Sequence, residues 1–194
     1  IILIGHHNHV EVKGTVGEAP EHIFVVGTVE EVSDLKIPDE KKVGYITQTT
    51  LSLDDTAEII TALKERFPEI KGPAKDDICY ATQNRQNAVK ALSKEVDLVL
   101  VVGAQNSSNS VRLLEVAETT GVKARRIESA AELDPEWLEE VRNVGITAGA
   151  SAPEDIVQGI VAEISKMSSS SSVRDLEIVQ EDVTFALPTV LRNA

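Results

Sequence analysis

Cys79 stands in Asp76-Asp77-Ile78-Cys79-Tyr80-Ala81-Thr82, just before a stretch with helical spacing. The positive end of a helix favours a thiolate, the form that ligates metals or attacks as a nucleophile; the flanking Asp76 and Asp77 oppose it. A buried, inert cysteine is the competing reading. A second set of reactive types is Gly5-His6-His7-Asn8-His9-Val10-Glu11-Val12. Three histidines invite a zinc reading, but they lack the Glu-separated helical spacing of zincins, and a strand end would splay them. His9 and Glu11 are two apart, so an extended segment puts them on one face. An imidazole near an anion with a carboxyl that shuttles protons makes an acid pair. The alternative is a set of exposed polar residues in a strand-to-helix loop. His22 opens a strand and reads as structural.

Three loops share another pattern, in which hydroxyls and amides follow an apolar strand and precede a helix. They are Tyr45-Ile46-Thr47-Gln48-Thr49-Thr50, Val101-Val102-Gly103-Ala104-Gln105-Asn106-Ser107-Ser108-Asn109-Ser110 and Gly145-Ile146-Thr147-Ala148-Gly149-Ala150-Ser151. Free N–H groups and the helix dipole favour an anion there, so converging loops would cradle a phosphate or diphosphate almost without Lys or Arg. Any one loop can equally be a simple cap. Four polar residues at 107–110 exceed what one cap needs.

Elements that must position these groups follow from periodicity. Short Val- and Ile-rich runs at 1–6, 23–26, 43–47, 96–102, 123–127 and 144–147 suit parallel strands covered on both faces. Helical patterns fill 53–67, 82–94, 109–120, 135–141 and about 151–167, the second with Ala88, Ala91 and Leu92 as its expected buried stripe. Ser52 with Asp55 resembles a capping box, and 151–154 forms another capping signature. Alternation of strand and helix predicts an α/β protein of repeated small units with mostly parallel sheets, ligands binding beyond the strands' carboxyl ends. The expected division is 1–75, 76–167 and 168–194, the last a serine-rich linker (168–172) and a tail with extended segments at 176–179 and 183–187.

A net charge of −13 argues against nucleic acid and anionic membranes as partners. No apolar run approaches the roughly 18 residues of a spanning helix. A lone cysteine excludes an internal disulfide and fits a reducing cytoplasm. With only 3% aromatics, the core must be built from Val, Ile, Leu and Ala. The chain starts with Ile inside an expected strand, so further sequence is expected before it.

Five motifs, in order and spacing, resemble one family. They are Gly5-His6-x-x-His9-x-Glu11-Val12-x-Gly14-Thr15, Thr47-Gln48-Thr49-Thr50-Leu51-Ser52, Asp76-Asp77-Ile78-Cys79-Tyr80-Ala81-Thr82-x-Asn84-Arg85-Gln86, Asn106-Ser107-Ser108-Asn109-Ser110 and Thr147-Ala148-Gly149-Ala150-Ser151-Ala152-Pro153. Together they resemble the 4-hydroxy-3-methylbut-2-enyl diphosphate reductases, the LytB family, over residues 1–167, with a weaker tail match at 185–192. The resemblance implies three α/β units around a central 4Fe-4S cluster, about two of them present here, the first of these incomplete at its start. It implies reductive dehydroxylation of the diphosphate substrate to isopentenyl and dimethylallyl diphosphate in the non-mevalonate pathway, with ferredoxin or flavodoxin as electron donor. Cys79 would then be the third cluster ligand, His9 a diphosphate contact and Glu11 the proton source. Thr49, with Gln48 near, would lie beside the substrate or its proton relay. Ser107, Ser108, Asn109 and Ser151 would hold the diphosphate.

There are departures. Two cluster cysteines and two substrate histidines of the family have no counterpart here and would precede Ile1. One thiolate cannot secure a cluster, so the chain alone is expected to be inactive, its tail docking on the absent unit. Val10 replaces a proline common after the motif histidine. Two rival readings remain open: a non-catalytic module binding a phosphorylated small molecule, and a hydrolase with Cys79 as nucleophile and His9 as its base.

Overall fold

Apolar runs and helical stripes alternate along the chain, and the computed structural model turns them into two sheets of the same design. It describes residues 1–74, 77–168, 171–180, 184, 186–188 and 192. The first part comprises β1 (Ile2–Ile4), α1 (Val10–Glu18), β2 (Phe24–Val26), α2 (Val29–Asp34), β3 (Tyr45–Thr47) and α3 (Leu53–Arg66). The second comprises α4 (Tyr80–Leu92), β4 (Leu98–Val102), α5 (Ser108–Thr119), β5 (Lys123–Ile127), β6 (Val144–Ala148) and α6 (Glu154–Met167). Both sheets are wholly parallel, in the orders β2-β1-β3 and β5-β4-β6, so the first strand of each is central. The α/β expectation holds. Among the described residues no helix is long and apolar enough to cross a membrane.

β4 shows why its run of Leu and Val is continuous. Alternate residues of a strand face opposite sides. Val99 and Val101 join Val89 of α4 and Leu113, Val116 and Ala117 of α5. Leu98, Leu100 and Val102 join Ile160 of α6, with Trp137 and Leu138 packed alongside. Helices on both faces leave no position for a polar side chain.

The two parts superpose by hydrogen-bond position. Gly5 N donates to Val26 O, as Gly103 N does to Ile127 O; Gln48 N donates to Ile4 O, as Gly149 N does to Val102 O. The helix after the central strand is capped four residues beyond each glycine, by His9 and by Ser107. The 101–110 loop therefore corresponds to the loop after β1, and the 145–151 loop to the one after β3.

Several local expectations are corrected. His9 and Glu11 do not lie in an extended segment: His9 caps α1 and Glu11 sits in its first turn. Two glycines and several β-branched residues hide this helix from propensity, and only Val12 of it is buried. α2 was not foreseen. The segment after Asp134 closes as a short 3-10 turn, Pro135–Leu138, rather than a helix to 141. The buried stripe of α4 is Thr82, Gln86 and Val89, because this face meets both its own sheet and the segment before α3. Ser52 caps α3 through Asp55 N as expected, but α6 begins at Pro153 without a side-chain cap, so Ser151 is not spent on capping. In the tail, 171–180 carries no helix or strand and exposes Leu176, Ile178 and Val179. Val183 and Phe185 of the expected second tail segment lie outside the described residues.

Candidate functional site

Side chains of the loop after β1 meet residues of α5, His9 at Ser108 and His6 at Arg112. His9 Nδ1 accepts the Glu11 N–H at 3.3 Å, as a capping group. That nitrogen therefore holds the lone pair, and Nε2 carries the proton of the neutral ring. Nε2 lies 2.5 Å from Ser108 Oγ at the start of α5. Ser108 Oγ then accepts, which leaves its own hydroxyl hydrogen to donate elsewhere.

Glu11 reaches the loop after β3. Its carboxylate accepts from Thr49 N at 2.8 Å and from Thr49 Oγ1 at 3.1 Å. The Thr49 carbonyl in turn accepts Cys79 N–H at 3.1 Å. One residue thus joins the carboxyl group to the cysteine backbone. Cys79 is exposed and is the N-cap residue of α4, without a side-chain capping bond. Gln48, almost wholly buried, accepts from His6 N at 3.1 Å and donates to Thr50 Oγ1 at 2.9 Å, tying the loops after β1 and β3 together.

In the second part, Ser107 caps α5 and its Oγ accepts from Ser110 N at 3.3 Å. Asn109 is 7% exposed, and both polar atoms of its amide lack a partner among the described residues. Leaving such a group unmet costs about 1–3 kcal/mol, and buried amides are nearly always paired. A bound ligand group would remove that cost. Ser151 is exposed in the turn after β6, in which Ala152 N donates to Gly149 O at 3.0 Å.

The histidine cluster does not converge. His7 Nε2 pairs with Glu31 at 2.9 Å, His9 turns to Ser108, and His6 Nε2 faces Arg112 at 3.0 Å. Among the described residues no three His, Cys, Asp or Glu side chains are grouped to hold a metal. The His9 base for a Cys79 nucleophile is corrected as well: both ring nitrogens are engaged, neither with the thiol.

Two contributors had no role assigned from the sequence, although Gln86 stands in the cysteine motif. Gln86, fully buried on α4, accepts from Leu53 N at 3.0 Å and donates to Leu51 O at 2.7 Å, so it reads the backbone just after Thr49. Arg112, whose side chain is only 13% exposed, pairs with Glu115 at 2.6 Å and Asp55 at 3.4 Å. It closes a cleft of about 300 Å³ lined by His6, Gln48, Thr50, Ser108 and Glu115. Both lie on helical stripes, but only the opposing loop shows what they bind.

Burial, and then the Arg112 guanidinium, hold His6 below its ordinary value of 6.5; Asp55 and Glu115 pull the other way. The unfolded chain therefore binds this proton more readily, and stability falls as pH drops below the ordinary value. Thermal melts between about pH 7.5 and 5.5 should show that loss. His6→Gln should make the slope shallower. An unchanged slope would show that His6 does not carry this pH dependence.

A family model described as LytB protein matches residues 1–165. The 4-hydroxy-3-methylbut-2-enyl diphosphate reductase of Azoarcus sp. (strain BH72) is 53% identical over 194 residues, covering 100% of this chain and 62% of that protein. The enzyme of the same description from Chromobacterium violaceum is 52% identical over 192 residues, covering 99% of this chain and 61% of its own length. Among solved structures, the E-1-hydroxy-2-methyl-but-2-enyl-4-diphosphate reductase from Plasmodium falciparum superposes with a TM-score of 0.82 at 37% identity, over 91% of this chain and 59% of that one. The chain thus spans about three fifths of the length of these relatives. With both sheets and the loops between them inside the matched span, the chain belongs to the LytB protein family.

Proposed function

We propose that this chain is the C-terminal part of a cytoplasmic reductase that removes the hydroxyl group of 4-hydroxy-3-methylbut-2-enyl diphosphate, giving isopentenyl and dimethylallyl diphosphate. The observation that carries this reading is Thr49. Its N–H and hydroxyl hold the Glu11 carboxylate, and its carbonyl holds the backbone of Cys79. On this reading Thr49 links the proton source to the backbone of the thiolate ligand.

An iron-sulfur cluster would supply electrons to such a site. Cys79 fits as one ligand, being exposed and free of a capping bond. Further thiolate ligands would come from outside this chain, since Cys79 is its one cysteine. Two electrons and two protons convert the C–OH bond into C–H and water. Glu11 delivers a proton to the departing hydroxyl, and Thr49 orients that carboxyl. The hydroxyls of Ser107 and Ser108 and the Asn109 Nδ2 donate to the diphosphate, Ser151 adds a hydroxyl from the loop after β6, and His9 Nε2–H turns from Ser108 Oγ to the diphosphate when it binds. Gln48 acts from behind, by fixing both loops. Residues 1–75 and 76–167 are two of three units, and the tail from 168 docks on the third. A ferredoxin or flavodoxin supplies the electrons.

The test is to express the full-length coding sequence anaerobically and assay the substrate with a chemical reductant. A brown protein that forms both products is expected. A colourless protein after iron and sulfide reconstitution, without turnover, would sink the reading. A phosphate-binding module without redox chemistry then remains, because the unpartnered Asn109 Nδ2 still offers an anion a donor whatever Cys79 does.

A further inference from the structure

The repeated design contains its own control. The third residue after the cap occupies the same place in α1 and α5, packed under the glycine that ends the central strand. In the first part it is Val12; a Cβ on Gly5 would come within 2.6 Å of its Cγ2. In the second it is Ser110; a Cβ on Gly103 would lie 2.0 Å from its Oγ, and one on Gly149 2.2 Å from it. Both residues are essentially unexposed. Valine fills this niche in the first part, where Gln48 stands at the position of Gly149, so packing beneath the strand end does not by itself require a hydroxyl at 110.

Its hydrogen bonds supply one. Ser110 Oγ donates to Ser107 Oγ at 3.0 Å, and Ser110 N donates to the same oxygen at 3.3 Å. Buried Ser110 has no other acceptor for its hydroxyl among the described residues, which fixes the direction of the bond. Both lone pairs of Ser107 Oγ are then engaged, and its own hydrogen must point outward as a donor. A freely rotating serine would have to be ordered on binding an anion; this one is ordered beforehand. The unpartnered Asn109 amide, 7% exposed and next in the chain, independently points to a ligand at this turn.

We propose that Ser110 is a positioning residue that fixes Ser107 as an outward donor to the substrate diphosphate, with Gly103 and Gly149 as the bare strand ends that let it approach. This rests on the diphosphate reading of the Ser107 loop. Replacing either glycine would push Ser110 out of the niche.

The test uses the full-length protein, prepared anaerobically, with inorganic diphosphate as the calorimetric probe. Melting temperatures check the fold of every variant. Valine and threonine have the same shape and differ in the hydroxyl. Ser110→Thr should keep affinity, whereas Ser110→Val and Ser110→Ala should each weaken it about fivefold, the worth of one ordered hydrogen bond. Substrate KM should rise by a similar factor with kcat little changed. Ser107→Ala should lose about tenfold or more, and adding Ser110→Ala to it should lose nothing further. Equal affinity for the Val and Thr variants would overturn the proposal, as would additive losses in the double variant. If the unmodified protein does not bind inorganic diphosphate, the reading of the loop itself fails and takes this role with it. Should the Val variant not fold, the Ala variant and the double variant decide alone.

Discussion

Changing Cys79 to Ser in the full-length protein should abolish the brown chromophore and turnover together while leaving the fold intact. The thiol is exposed and caps nothing, so its loss should change stability by no more than about 0.5 kcal/mol, as for other surface substitutions away from special features. A cluster deprived of one thiolate loses a strong soft ligand, and among the described residues no group of three or more His, Cys, Asp or Glu side chains stands ready to replace it. Absorbance in the visible range, iron content and product formation are the measurements. Binding of inorganic diphosphate should survive, since His9, Ser107, Ser108 and Asn109 do not touch the thiol. That pattern separates the reductase from a phosphate-binding module. Retention of full function in the serine variant would favour the module; loss of diphosphate binding along with the chromophore would show that Cys79 also holds the binding loops together.

Glu11→Gln should lower kcat by roughly 100- to 10,000-fold, the range for removing a positioned proton donor. Glutamine keeps the shape, and its carbonyl oxygen can still accept from Thr49 N, so the loops after β1 and β3 should stay in register. What disappears is the group that carries and releases a proton. KM should hold, because the anion donors lie on other residues, and the visible spectrum should be that of the unmodified protein. A decrease of less than about threefold would remove Glu11 from the proton path. Thr49→Val is the companion variant. It deletes the hydroxyl at 3.1 Å but not the N–H at 2.8 Å, so its effect should be smaller than that of Glu11→Gln.

The order of strands and helices was readable because parallel strands covered on both faces leave a simple trace. The Leu98–Val102 run is apolar throughout, and its two faces meet different helices. The candidate residues were readable because hydroxyls and amides accumulate before helices beyond what capping requires, as at Ser107, Ser108, Asn109 and Ser110. α1 was not readable. Its helix depends on His9 acting as cap and on Val12 fitting beneath Gly5, and neither is a matter of propensity. The pairing of the repeats was not readable either: three similar polar loops share one pattern, and only hydrogen-bond position matches 101–110 to the loop after β1 and 145–151 to the loop after β3.

By itself, then, the sequence determined the class of fold, the family resemblance and the residue types of the site, because periodicity and motif spacing are local properties written along the chain. Only the tertiary structure decided which partners those residues take. That His9 turns to Ser108 and away from Cys79, that Thr49 joins Glu11 to the cysteine backbone, and that Ser110 leaves Ser107 one free hydrogen are each contacts between separate elements. Their geometry is set by which loops the two parts bring into contact and by where a glycine lets a helix come close, and no spacing within one element encodes that.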